Sequence, residues 1–319
     1  MTSSPTPRPR STASSAADVT TTTRLRTPRR PWWGAQPIGT LFALPYLVFV
    51  VVVFVYPLFF AVYIAFHDYI FTAPGVSVPT PFVGFDNFVD VLTDSAVLEA
   101  FRNTGVFLVI FVPLTVVLSL VLATALNAGI RFVSAYRVAF YVPYLTASVS
   151  LVGVWMLLFS QNGLINTVLG PLAPDPSWLV NSGLAMPTIA LYVTWKQLGF
   201  YILLYLAALQ NIPKELYESA ATDGATMRQR FLNVTVPGVR TTTTLVLILA
   251  IILGANLFTE PYLLTNGGGP DGASTTPVLL IYQKGIQQQN PDTASAIGML
   301  LVVAVGLLSL AASRLNRET

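Results

Sequence analysis

The 319-residue chain contains no cysteine, which excludes a disulfide framework, a thiolate metal site and a cysteine nucleophile. It has a single histidine, His67, so the second imidazole that most zinc sites need does not exist. His67 stands beside Asp68, but one such pair without a nucleophile reads as an interfacial polar pair rather than acid-base machinery. The only lysines are Lys196, Lys214 and Lys284, and none is followed by Ser or Thr. The Gly-x-x-x-x-Gly-Lys-Ser/Thr phosphate cradle is therefore absent, and with it a nucleotide-hydrolysing role for the chain itself. Charge is scarce too: Asp, Glu, Lys and Arg make up 10% of residues, against roughly a quarter in soluble domains.

Apolar residues take the vacant share, at 54% with a mean hydropathy of +0.66. Six segments, near 38–65, 104–128, 138–160, 185–208, 242–264 and 293–313, are apolar enough to cross a bilayer at about 20 residues each. Several hold Pro or Gly, including Pro45, Pro57, Pro113, Pro143, Gly199 and Gly254. Such residues are tolerated where neighbouring helices satisfy the freed backbone groups, so the pattern predicts a packed all-α bundle.

The basic residues orient it. Fourteen of the 17 Lys and Arg fall in the N-terminal tail, after segments two and four, and at the C-terminus; the opposite side has Arg102 and Lys284, and Lys196 lies inside segment four. The positive-inside rule then puts both termini and the 209–241 loop in the cytoplasm. Residues 1–36, rich in Ser, Thr, Pro and Arg, read as a disordered basic tail, with Trp32 and Trp33 suited to the headgroup level. A cleaved signal peptide competes for this region, but the apolar run after it is too long and no small-residue cleavage site follows. The transmembrane domain is thus 37–313 and the second cytoplasmic tail 314–319.

The most informative stretch is Pro213 to Pro237, a charged segment between two apolar ones. Pro213 suits a first helical position, Glu215 and Glu218 suit the positive end of a helix, and Asp223-Gly224 supplies a break, so a helix, a turn and a second helix are predicted. Here Glu218-Ser219-Ala220 is followed after three residues by Gly224, and nine residues later by Val234-Thr235-Val236-Pro237. This resembles the cytoplasmic Glu-Ala-Ala loop of the inner-membrane permease subunits of binding-protein-dependent ABC importers. Ser219, Val234 and Val236 depart from the family pattern while keeping its small or aliphatic character. The resemblance covers roughly residues 40–313, and includes Phe82 to Phe88, Arg102-Asn103-Thr104 and the turn cluster Thr265-Asn266-Gly267-Gly268-Gly269-Pro270 outside the membrane.

The resemblance implies a six-span permease half of the carbohydrate-uptake branch in the cell membrane. Its expected partners are a second permease, two ATPase subunits that bind the ATP, an extracytoplasmic solute-binding protein and a sugar. No cofactor, metal, nucleic acid or catalysis of its own is expected. Glu215, Glu218, Ser219, Ala220, Asp223, Gly224, Arg228 and Pro237 would form the ATPase-coupling loop. Polar groups within spans are costly, and Thr146, Gln197, Tyr201, Asn256 and Glu260 are the candidates for a sugar path. Asn256 and Glu260, four residues apart, are expected on one helix face. The competing reading is interhelical glue, worth about 0.6 kcal/mol per hydrogen bond, and it applies above all to the Thr146, Ser148 and Ser150 stripe. A glycerol-3-phosphate or polyol-derivative permease is the alternative substrate class. A secondary transporter acting without ATP is disfavoured, because no internal repeat is visible.

Overall fold

The computed structural model describes residues 37–315 except 74, 77 and 130. The expected N-terminal tail, with Trp32 and Trp33, and residues 316–319 of the expected C-terminal tail lie outside the described residues; Arg314 and Leu315 belong to the last helix. The chain divides after Phe54 into two units. The first contains α1 (Pro37–Val50) and most of the π-helical turn Val51–Val55. Its side chains from Leu41 onward are largely exposed apolar groups.

The second unit is helical throughout its regular structure: α2 (Tyr56–Ala65), α3 (Asp86–Thr93), α4 (Ser95–Asn127), α5 (Val133–Leu145), α6 (Ser148–Leu158), α7 (Leu164–Leu169), α8 (Ala185–Leu209), α9 (Lys214–Thr222), α10 (Met227–Arg230), α11 (Val236–Gly238), α12 (Arg240–Ala255), α13 (Thr259–Leu264), α14 (Pro277–Tyr282) and α15 (Pro291–Leu315). Among the described residues, pairing between extended segments is confined to an isolated bridge between His67 and Phe82. Four helices, Leu41–Ala65, Ser95–Asn127, Ala185–Leu209 and Pro291–Arg314, are long and apolar enough to cross a membrane; counting two bent pairs as spans raises the number to six.

The least apolar of the four, α8, is the most buried, with 67% of its apolar window inside the protein. Polar groups gather there because lipid accepts Leu and Val on the outside, whereas hydroxyl and amide groups need partners inside. Tyr192, Tyr201 and Tyr205 of α8 are fully buried, packed in one cluster with Phe107 and Phe111 of α4. Gly199 lets α5 come close, since a Cβ there would overlap the backbone of Phe140 and Tyr141.

Two helix pairs are sharply bent, the first within the apolar segment expected at 138–160 and the second at Val239, just before the one expected at 242–264. The first pair, α5 and α6, turns by 99° at Thr146-Ala147. Pro143 has no N–H for the helix ladder, and Thr146 Oγ1 takes the Val142 carbonyl at 2.8 Å. The second pair joins the segment Met227–Gly238 to α12 through a 70° bend. Farther along, α12 stops at Ala255 and helix resumes only at Thr259. Pro261 cannot donate to the Leu257 carbonyl, which instead accepts Thr276 Oγ1 at 2.6 Å. That bond satisfies a backbone group that would otherwise be stranded in an apolar interior.

At the end of the bundle away from the 214–237 loop, the amides singled out in the sequence act as staples. Asn87 Nδ2 donates to the carbonyls of Ala65 and His67 at 3.0 and 3.1 Å. Asn103 Nδ2 donates to those of Gly272 and Thr275 at 2.9 and 3.1 Å. The turn it holds has Gly267, Gly268 and Gly269 at φ of 92°, 123° and 75°, backbone that side-chain-bearing residues avoid. Lys284 pairs with Asp94 at 3.2 Å. Burial pushes the Asp94 carboxyl up, but the Ala96 N–H, the Lys284 ammonium and the Val97 N–H together outweigh it and leave its pKa below the ordinary value. With a lowered folded-state pKa, the pairing's contribution is present above the ordinary aspartate range and is lost as pH falls through the folded value. His67 Nδ1–H donates to the Tyr63 carbonyl, 2.7 Å away, and the imidazole stacks on the Tyr63 ring.

Candidate translocation and coupling sites

The loop between α8 and α12 is built from local signals. Pro213 is the N-cap of α9, one position before the helix rather than within it, with φ −57° and ψ 133°. Glu215 occupies the first turn, where a carboxylate faces the positive helix end. The helix stops because Gly224 takes φ +76°, a conformation strained for any residue with a Cβ. The Ala225 N–H reaches the Ala220 carbonyl at 2.9 Å and the Gly224 N–H the Ala221 carbonyl at 3.1 Å, the two bonds of a Schellman stop. Two residues later Thr226 and Gln229 form a reciprocal capping box that starts α10. Arg228 and Arg230 lie in α10, and a π-helical turn, Phe231–Thr235, carries the chain to Pro237 in α11. The Tyr217 hydroxyl and Thr235 Oγ1, 3.0 Å apart, tie α9 to that turn.

Exposure in this loop falls on one set of side chains. Glu215, Glu218, Ser219, Asp223 and Arg228 are exposed, while Ala220 is half-buried. Glu218 makes no ion pair among the described residues. The loop thus presents a capped helix, tied at Tyr217, whose acidic groups are turned outward without an ion-pair partner among the described residues.

The path candidates do not converge on one surface. Asn256 and Glu260 do not share a helix face, because the break between α12 and α13 separates them. Asn256 is the exposed C-cap residue of α12, and its Nδ2 donates to the Ile252 carbonyl at 2.8 Å. Glu260 is buried and lies 3.3 Å from the Lys196 ammonium. Lys196 also donates to Ser148 Oγ. One cation in α8 therefore joins the first turns of α6 and α13, each just past a helix break. Tyr201 is 1% exposed and belongs to the core. Thr146 and Gln197 are half-buried, and Gln197 Oε1 has no hydrogen-bond partner.

The Lys196, Glu260 and Ser148 connection is the element that sequence reasoning missed. Its signal was present: two opposite charges in adjacent polar-poor spans, each too costly to bury alone, are expected to pair.

This is the architecture of a multi-pass membrane permease, and solved structures share it. A chain in the crystal structure of a bacterial alginate ABC transporter, in complex with an alginate-pentasaccharide-bound periplasmic protein, superposes with a TM-score of 0.73. The match covers 88% of this chain and 93% of that one, at 24% identity. The family model of the binding-protein-dependent transport system inner membrane component matches residues 29–317, and the chain belongs to that family. Relatives include the arabinooligosaccharides transport system permease of Bacillus subtilis, 30% identical over 283 residues that span 86% of this chain and 87% of the relative. The diacetylchitobiose uptake permease of Streptomyces coelicolor is 31% identical over 260 residues, 77% and 73% of the two chains. The sn-glycerol-3-phosphate transport permease of Yersinia pestis is 30% identical over 280 residues, 87% and 93%.

Proposed function

We propose that this chain forms half of the translocation path of an ABC importer for an uncharged sugar, delivered by an extracytoplasmic binding protein. A second, homologous permease supplies the other half, and two ATPase subunits bind and hydrolyse the ATP. The observation that carries the reading is the 214–237 loop: an outward-facing acidic helix with a rigid stop, placed between apolar segments in a chain with no phosphate cradle. ATP-driven closure of the ATPases would move this helix as a rigid body, and the tie from Tyr217 to Thr235 would pass the motion to α12. Glu215, Glu218, Ser219, Ala220, Asp223, Gly224, Arg228 and Pro237 are the residues assigned to coupling.

A sugar is supported by the named substrates of the arabinooligosaccharide and diacetylchitobiose relatives. The Yersinia relative favours glycerol-3-phosphate as the second reading. Against it, the cation in the middle of the most buried span, Lys196 of α8, is already paired with Glu260. A phosphate would need free cations along its route. Within the path, Asn256, Thr146 and Gln197 are the groups assigned to solute contact. Glu260 and Tyr201, both buried, act by holding the helices that present them.

The orientation places the 209–241 loop and both termini in the cytoplasm and the 265–292 segment outside. The absence of native cysteine makes the test direct. Single cysteines are introduced at positions 226 and 273 and treated in intact cells with a membrane-impermeant maleimide. Position 273 is expected to label and 226 to label only after permeabilisation; the reverse pattern would overturn the orientation.

A further inference from the structure

A cavity of about 690 Å³ lies where the end of α4 meets the 214–237 loop. Its α4 wall includes Val121 and Ala125, and its loop wall includes Met227 and Phe231. The lining is overwhelmingly apolar, and Met227 is 81% exposed, an arrangement that isolated soluble surfaces avoid. Two cations stand at this apolar space, Arg228 and Arg230. Neither forms an ion pair among the described residues, and no acidic side chain lines the cavity. Arg230 Nε is shielded from solvent and has no hydrogen-bond acceptor.

An apolar slot with an unsatisfied guanidinium matches an amphiphile with a hydrocarbon chain and an anionic head. Neither half suffices alone: a free anion would leave the slot empty, and a lipid without net negative charge would leave the two guanidinium charges uncompensated. The position favours a lipid already in the bilayer. The same α4 surface carries exposed Val117 and Val121 toward its end, and the arginines lie on the loop just beyond it. The chain's own N-terminal segment, with six arginines before residue 31, has the wrong sign to fill the site.

We propose that this cavity holds one acyl chain of an anionic phospholipid, with the headgroup phosphate bound by Arg230 and Arg228. Charge-assisted contacts from guanidinium to phosphate give the head its preference, and the acyl chain supplies non-specific affinity through apolar burial. The bound lipid would wedge the π-helical turn against α4 and thereby set the angle at which the loop leaves the membrane.

The test uses the assembled transporter with its partner subunits, delipidated in detergent and titrated with dioleoyl phosphatidylglycerol or dioleoyl phosphatidylcholine under native mass spectrometry. Wild type is expected to retain one phosphatidylglycerol, preferred over phosphatidylcholine by about fivefold for each participating arginine. Arg230→Gln should cut that preference about fivefold while leaving phosphatidylcholine retention unchanged. Ala125→Trp, which fills the slot, should lower retention of both lipids. Equal retention of the two lipids by wild type would overturn the proposal, as would unaltered phosphatidylglycerol retention in both variants. Binding to the permease pair alone that disappears when the ATPases join would also overturn it, since it would assign the cavity to the ATPase surface.

Discussion

Glu260→Ala is expected to be among the most destabilising single changes in the chain, at about 3 to 5 kcal/mol, the usual cost of leaving a buried charge without its partner. The stranded group is the Lys196 ammonium, whose side chain is 8% exposed and whose remaining contact is Ser148 Oγ. Losing the carboxylate frees α13 from α8 at the point where the Pro261 break has already removed a helical bond. Replacing both residues together, Lys196→Met with Glu260→Met, should return most of the lost stability, because an apolar pair needs no counter-charge. Thermal unfolding of the purified permease in detergent reads both effects. A Glu260→Ala protein melting with wild type would show that the pair holds nothing. Asn256→Ala provides the contrast: its side chain bonds only its own helix end, so stability should change little while preference among competing sugars shifts.

The second large effect is expected in coupling. Gly224→Val forces a β-branched residue into φ +76°, which such residues adopt only under strain of about 1 to 3 kcal/mol. The Schellman stop then loosens, and α9 no longer leaves the bundle at a fixed angle. Glu218→Ala leaves the loop geometry intact and removes an exposed acidic group that we propose pairs with a basic residue of the ATPase. Both variants should reach the membrane at normal levels, and both should abolish uptake while ATP hydrolysis persists without response to the loaded binding protein. Uptake by both variants at the wild-type rate would remove the coupling role from this loop.

The two functional regions differed in how readable they were, and the reason is the range of the interactions that build them. The stop at Gly224 depends on residues within five positions and the start at Thr226 on Gln229, so their signals lie in a short window, although Pro213 stands one position before the helix and the Thr226 start was not read. The long apolar helices were equally plain, because hydropathy is a property of each segment alone. The breaks at Thr146 and Asn256 were not. A proline in a span is compatible with a straight, kinked or interrupted helix, and the outcome at Pro261 depends on Thr276, fifteen residues away, accepting the role of donor to the Leu257 carbonyl. Treating 242–264 as one helix then put Asn256 and Glu260 on a common face, whereas the structure sends one to the exposed end of α12 and the other into an ion pair. Tyr201 was chosen as a polar group in a span, yet its ring fills the centre of the bundle. A phenol satisfies both descriptions, and only packing distinguishes them.

The central claim is that this chain works as the membrane half of an ATP-driven machine and does not transport by itself. Affinity purification of the tagged chain from its native membrane, followed by intact-complex mass measurement, tests it most directly. The account predicts a complex of one copy of this chain, one second permease and two ATPase subunits bearing the phosphate-binding loop that this sequence lacks. A tagged chain that purifies without any ATPase, and that still moves solute when reconstituted alone into vesicles lacking ATP, would contradict it.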